Sequence, residues 1–242
     1  MQTMHTLVGD RSLVLEMPRP DEWLMPGIRW GRFEELFTAA YWHGQAWQAR
    51  EHDHYSRLKL GRSLTEEVAA CLLGGYGMKA EIGLAAYRRI RNLGMLRPNV
   101  GAAALERVLS EPMTVQGRSV RYRFPQQKAR YLAGCLAGLA QIDAGSLSDI
   151  ELRDALTGLP GIGPKTASWV VRNYRDSDSV AVLDVHIVRA GQFLGLFSKG
   201  ETPQRDYPSL ESKFLRFAEA IRAPASLLDA LMWQHMRLLQ HA

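Results

Sequence analysis

A chain of 242 residues, 46% hydrophobic and 23% charged, is long enough to bury a full core as one large domain or two smaller ones, with the balance of a soluble globular protein. No stretch approaches the length of a membrane span and the start lacks a signal-peptide core, so a cytoplasmic protein is expected. A net charge of +5 and a pI near 9.4 favour an anionic partner. Cys71 and Cys135 each fall inside a helical pattern and read as buried thiols rather than a disulfide framework.

In chain order, Leu7-Val8 and Leu13-Val14-Leu15 flank Gly9-Asp10 in the manner of a short hairpin, while Pro18, Pro20 and Pro26 argue against regular structure beyond it. Phe33, Phe37 and Tyr41 recur every four residues, which predicts a core-facing helix. His52-Asp53-His54 has no third ligand and is not read as a zinc site. Ser63-Leu64-Thr65-Glu66 is a capping-box pattern opening a helix through Leu72 and Leu73. After Gly74-Gly75-Tyr76-Gly77 a second helix carries Ile82, Ala86, Ile90 and Leu93. A short helix with Leu105, Val108 and Leu109 passes through Pro112 into Arg118, Arg121 and Arg123, and another, from Pro125, is striped by Leu132, Cys135, Leu136 and Leu139.

The most informative stretch runs from 148 to 174. Ser148-Asp149-Ile150-Glu151 is a capping box, followed by Leu152, Ala155 and Leu156 at helical spacing. Gly161-Ile162-Gly163 makes a turn whose backbone can approach a ligand closely, because no Cβ stands in the way. Pro164 suits the first position of a second helix, striped by Ala167, Val170, Val171 and Tyr174. The free N–H groups at that helix start, with those of the turn, form an anion site suited to a phosphate polymer. Lys165 lies in the first turn, where the helix dipole and partial burial both disfavour an ammonium and leave some neutral, nucleophilic amine. Asp184 lies between the apolar run 180–183 and a stripe of Ile187, Ala190, Gly191 and Leu194, the place of a helix N-cap. A fixed carboxylate there would stabilise an oxocarbenium-like sugar. Pro203 and Pro208 then mark a loop, Leu210, Phe214, Phe217 and Ile221 a helix, and Ser226-x-x-Asp229 the start of a last helix striped by Leu228, Leu231, Met232 and His235.

The string Leu159-Pro160-Gly161-Ile162-Gly163-Pro164-Lys165-Thr166-Ala167, with Asp184 beyond it, resembles the helix-hairpin-helix Gly/Pro-Asp superfamily of DNA glycosylases, in its lysine-bearing branch that includes 8-oxoguanine glycosylases and endonuclease III. The resemblance implies an all-α, two-lobed fold with the active site between two helical domains, with room for the N-terminal hairpin. The division expected is an N-terminal segment 1–65 packing with the C-terminal helices, a central domain 66–178 carrying the helix-hairpin-helix at 148–174, and the C-terminal helices 179–242. It implies Lys165 and Asp184 as the catalytic pair and a bifunctional N-glycosylase and apurinic-site lyase, since relatives without the lysine use activated water instead. The substrate implied is an oxidised purine, 8-oxoguanine first, in duplex DNA. An alkylated purine, a modified base in foreign DNA, and a non-catalytic DNA-binding module stay open.

By the same resemblance, Gly161, Gly163 and Thr166 contact phosphate, and Tyr76 is the wedge entering the duplex or else packs locally. Lys128 and Arg130 contact phosphate or the orphan base, or form a solvated face. His186 contacts phosphate or packs its helix. Trp233, with Met232 and Gln234, walls the base pocket, or the tryptophan is structural. The backbone carbonyls of Thr157, Leu159 and Ile162 can hold a sodium or potassium ion. No cofactor is required, two cysteines exclude a four-cysteine iron–sulfur cluster, and a monomer acting on nucleoid DNA is expected.

Overall fold

The computed structural model describes residues 1–52, 58–75 and 77–239. Among these the chain forms, in order, β1 (Gln2–Val8), β2 (Arg11–Met17), β3 (Trp23–Met25), β4 (Ile28–Arg29), α1 (Ala39–Glu51), α2 (Leu64–Leu73), α3 (Ala80–Asn92) and α4 (Ala102–Ser110). Next come β5 (Met113–Val115), β6 (Arg118–Val120), α5 (Pro125–Gly138), a short 3-10 turn, α6 (Asp149–Thr157), α7 (Pro164–Arg175), α8 (Val185–Leu194), α9 (Pro203–Ala220) and α10 (Ala225–Leu238). The chain divides into two compact units, Lys59–Ser177 and the pair of segments Met1–Leu58 and Asp178–Ala242.

The Lys59–Ser177 unit is built on α2, whose residues from Glu67 to Leu73 are all buried and which packs against α3, α5 and α7. Ser63 caps it by accepting the Glu66 N–H, but the Glu66 carboxylate takes the Arg62 N–H rather than that of Ser63, so the expected box closes one residue early. A buried acid stands inside this packing. Glu67 is fully buried; its Oε2 accepts the N–H groups of Leu60 and Gly61 at 2.9 and 2.7 Å, and its Oε1 accepts the Asn173 amide at 2.8 Å. Arg172 in turn donates to Asn173 Oδ1. The unit's first residues, α2 and α7 are thereby tied by one carboxyl group, a network that is stable only because each member is satisfied.

In the other unit α10 packs on α1, α8 and α9 around Trp42, Phe214, Phe217, Leu228 and Met232. The N-terminal hairpin is present, with Gln2 opposite Met17 and Val8 opposite Arg11, and its inward residues lie against α1. Four expectations are corrected here. Pro26 does not end regular structure: Pro26-Gly27, with Gly27 at φ +83°, is the turn between β3 and β4, a pairing that a proline at a turn's first position favours. Phe33 and Phe37 do not lie on a helix with Tyr41, because Thr38 caps α1 and Phe37 just before it is left-handed at φ 70°. Pro203 opens α9, and Pro208 follows a break at Asp206 (φ −115°, ψ 18°), so the expected loop is a kinked helical turn. Ser226 is not the cap of α10 either; its N–H is taken by Asp178, while Asp229 accepts the Val182 N–H. In the Lys59–Ser177 unit, β5 and β6 add a hairpin that the arginine-rich stretch concealed, turning at left-handed Gln116 and Gly117.

Glu67→Ala would strip acceptors from two backbone N–H groups and the Asn173 amide, at a cost of roughly 3–6 kcal/mol, read as a lowered midpoint in urea denaturation. Burial lowers the pKa of His235, whose Nδ1 meets Tyr41 Oη at 2.8 Å, and of His43. Both therefore bind a proton more readily unfolded than folded. Their contribution is complete above the ordinary value of 6.5 and declines as pH falls below it, so stability should drop between about pH 7 and pH 5, before carboxylates titrate.

Candidate active site

The hairpin between α6 and α7 forms as its spacing predicts. Ser148 and Glu151 close a reciprocal capping box at the start of α6, and Leu152 and Leu156 face the core. Bonds from Leu159 N–H to Leu156 and from Ile162 N–H to Leu159, both at 3.1 Å, shape the turn, and the side chains of Leu159 and Ile162 are buried beneath it. The hairpin is seated on α5. A Cβ on Gly134 would stand 2.8 Å from the Pro160 ring, and one on Gly138 would stand 2.6 Å from Leu159, so the two glycines form the notch that receives them. Cys135 Sγ, between them, donates to the Pro160 carbonyl.

The two hairpin glycines have different causes. Gly161 is left-handed at φ +75°, and a Cβ there would stand 2.3 Å from the Tyr131 ring. Gly163 has extended backbone (φ −96°, ψ 176°) and nothing within 4 Å of where a Cβ would be. Internal packing therefore demands Gly161 but not Gly163, and the bare side of Gly163 faces open space. Gly163 is the N-cap of α7, its carbonyl accepts the Ala167 N–H at 3.0 Å, and Pro164 follows at the first helical position. Lys165 and Thr166, both half-buried, occupy the second and third positions, where their N–H groups have no partner four residues back.

The charge of Lys165 reaches two notable groups. Lys128, half-buried on α5, donates from Nζ to the Leu72 carbonyl at the end of α2, at 2.7 Å. Burial lowers the Lys128 pKa, and the Lys165 charge pushes the same way. The charge of Lys165 also reaches the Cys71 thiol, which burial first, then Glu67, hold well above the ordinary range; burial pushes Cys135 up to about 12. Both thiols stay protonated, so neither competes as a nucleophile. Lys128 is thus not part of a solvated face, whereas Arg130 is exposed.

Asp184 caps α8, as its spacing implies. Its Oδ1 accepts the N–H groups of His186 at 2.8 Å and Ile187 at 3.1 Å. His186 meets the Trp233 ring edge-on at 6.4 Å, and its Nδ1 is buried with no hydrogen-bond partner among the described residues. Arg237 lies over the Trp233 ring at 4.6 Å. Met232 is fully buried in the core, and Gln234 is exposed. Lys165, Thr166, Gly161, Gly163, Lys128 and Arg130 belong to the Lys59–Ser177 unit, and Asp184, His186, Trp233, Met232 and Gln234 to the other. Tyr76, Asp53 and His54 lie outside the described residues. Tyr131 and Glu67, which hold the hairpin and α7, carry no local sequence signal.

Two of the three expected carbonyls bear on cation binding. Thr157 ends α6, so its carbonyl is one that the helix leaves unpaired; Leu159 accepts Ile162, and a carbonyl oxygen keeps a second lone pair. Neutral oxygens at a helix C-terminus suit an alkali cation. Among the described residues no three His, Cys, Asp or Glu side chains converge as a metal-binding group, and no helix is long and apolar enough to cross a membrane.

Fold and hairpin together define a helix-hairpin-helix DNA glycosylase. A family model for 8-oxoguanine DNA glycosylase matches residues 48–223, and the chain belongs to that family. No curated protein sequence matches it. Among solved structures, the 8-oxoguanine DNA glycosylase of Thermotoga maritima is similar over 81% of this chain and 95% of that one, at 24% identity and a TM-score of 0.62. The Methanocaldococcus jannaschii 8-oxoguanine glycosylase/lyase, in complex with DNA containing 8-oxoguanine, is similar at 23% identity and a TM-score of 0.55, covering 70% of this chain and 78% of that one. A trapped covalent intermediate of endonuclease III with DNA is similar at 18% identity and a TM-score of 0.56, covering 78% and 82%. These likenesses establish the fold.

Gly161→Ala is expected to cost about 2–4 kcal/mol, because left-handed strain and a ring clash add, and Gly163→Ala less than about 0.5 kcal/mol. Thermal denaturation separates the two, and a duplex-binding assay should find the stable Gly163→Ala protein weakened if phosphate approaches that bare backbone.

Proposed function

We propose that this chain is a bifunctional DNA N-glycosylase and apurinic-site lyase that removes 8-oxoguanine from duplex DNA. The observation that carries the reading is the position of Lys165, half-buried in the first turn of α7 directly behind the hairpin. The free N–H groups of that turn and the bare backbone of Gly163 take a phosphate of the lesion strand. Everting the damaged nucleotide brings its sugar to the lysine. The Tyr76 side chain takes the place left in the stack. A sodium or potassium ion on the carbonyls of Thr157, Leu159 and Ile162 would add positive charge toward that phosphate. The protein acts as a monomer, and no other cofactor is required.

In the chemical step the Lys165 Nζ lone pair forms a bond to C1′ while the C1′–N9 bond breaks, and its electrons leave with the purine, which takes up a proton. As the C1′–N9 bond breaks, the Asp184 carboxylate stabilises the positive sugar by its negative charge, and once the C–N bond to the lysine has formed it accepts the proton that the nitrogen loses. Ring opening gives an imine between Nζ and C1′. Loss of a C2′ proton then expels the 3′ phosphate, nicking the strand by β-elimination, and water releases the lysine. The trapped covalent intermediate of endonuclease III supports this chemistry, and the 8-oxoguanine complex of the Methanocaldococcus jannaschii enzyme supports the substrate.

Lys165→Gln should abolish borohydride trapping on a duplex containing 8-oxoguanine. Trapping that persists would assign another amine, with Lys128 the first to examine. Asp184→Asn tests the charge apart from the cap, because asparagine caps a helix as well as aspartate does. Excision should slow about 10²–10³-fold with stability nearly unchanged, and an unaltered single-turnover rate would leave Asp184 a cap only.

A further inference from the structure

A cavity of about 410 Å³ opens in the unit formed by Met1–Leu58 and Asp178–Ala242, between the end of β2, α1 and the end of α9. Its walls include Trp30, Trp47, His43, Arg50, Arg222 and Glu16. This volume lies in the range of small-molecule sites. Two indoles supply flat apolar faces, two guanidiniums supply charge, and Glu16 supplies an acceptor for a ring N–H.

Its cationic lining is unspent. Neither Arg50 nor Arg222 has an ion pair or a side-chain hydrogen bond to another described residue, and the charges of both act on His43. His43 is fixed by donation from Nδ1 to the Ile221 carbonyl at 2.6 Å, and its ring meets Trp30 edge-on at 5.6 Å. Arg222 itself pays a conformational penalty. α9 ends with Ala223 N–H on the Ala218 carbonyl and Arg222 N–H on that of Glu219, both at 2.9 Å, leaving Arg222 left-handed at φ +53°. Glycine is the residue favoured at that position. An arginine kept there against backbone preference, with its side chain on a cavity wall, is a reason to look for a ligand.

We propose that this cavity binds a nucleoside 5′-monophosphate, its base between Trp30 and Trp47 with a ring N–H on Glu16, and its phosphate on Arg50 and Arg222. Aromatic stacking with a bidentate arginine contact is the chemistry that a planar base bearing a phosphate requires. The site belongs to one unit and shares no residue with Lys165, Asp184 or the hairpin, so it stands or falls independently of the proposed glycosylase activity.

The test is calorimetric titration of the full chain with 2′-deoxyguanosine 5′-monophosphate, with inorganic phosphate and with deoxyguanosine. The nucleotide should saturate one site, with phosphate and nucleoside each at least about tenfold weaker. Arg222→Gly is the decisive variant, because it removes the guanidinium while relieving the backbone. Its melting temperature should be equal to or above that of the parent, while nucleotide affinity falls at least about tenfold; Trp47→Leu should weaken binding as well. No saturable binding by the parent, phosphate binding as tightly as the nucleotide, or undiminished binding by a folded Arg222→Gly protein would each overturn the proposal.

Discussion

The seating of two hairpin residues in a notch of α5 is the constraint on which the rest of the candidate site depends. Pro160 and Leu159 fill the space where side chains on Gly134 and Gly138 would stand, and the Tyr131 ring occupies the place of a side chain on Gly161. One helix face thereby fixes the turn from below and from the side. Close-packed contacts of this kind have little give. The first turn of α7 begins where the seated hairpin ends, so the direction of its free N–H groups and the starting point of Lys165 are set by α5. A phosphate arriving there meets donors that need no rearrangement, the condition under which backbone dipoles are most effective.

A second layer of support lies behind α7. Glu67 gathers the Leu60 and Gly61 N–H groups and the Asn173 amide, so the first residues of the unit, its central helix and the helix that carries Lys165 share one buried anchor. A side chain on Gly61 would run into the backbone of Glu67, which shows how closely that segment is drawn in. Substitution here would reach Lys165 indirectly, through the tilt of α7.

Features were legible in the sequence where the partner is a few residues away. Ser148 with Glu151 and Asp184 before an apolar stripe satisfy orphan N–H groups within one helical turn, and Pro164 after the glycine turn removes one, so their spacing carries the information. Features were illegible where the partner is distant. Asp178 serves the N–H of Ser226, Lys128 serves the Leu72 carbonyl, and Glu66 serves Arg62 rather than the residue its pattern names. Phe33, Phe37 and Tyr41 misled for another reason: a four-residue spacing is helical only if the backbone is, and a left-handed Phe37 ahead of the Thr38 cap breaks it. The β5–β6 hairpin was hidden because its turn uses left-handed Gln116 before Gly117, a residue outside the usual turn pairs.

The placement of the two neighbouring lysines bears on which amine can act. Lys128 Nζ is held by the Leu72 carbonyl, a helix-end acceptor that would lose a partner if the side chain swung away, and burial alone already restrains it. Lys165 has no such tether among the described residues, and it starts from a helix terminus whose anion-seeking N–H groups would hold the substrate backbone beside it. Of the two amines, the one without a hydrogen-bonded partner among the described residues is therefore the one in the first turn of α7. Asp184 is oriented by its own helix, because both cap bonds fall on Oδ1, and the cap leaves Oδ2 available. Under the proposed function, a covalent displacement at a sugar carbon asks the attacking nitrogen to travel along the bond it makes, while the positive charge it creates is best met by a carboxylate whose orientation is already set.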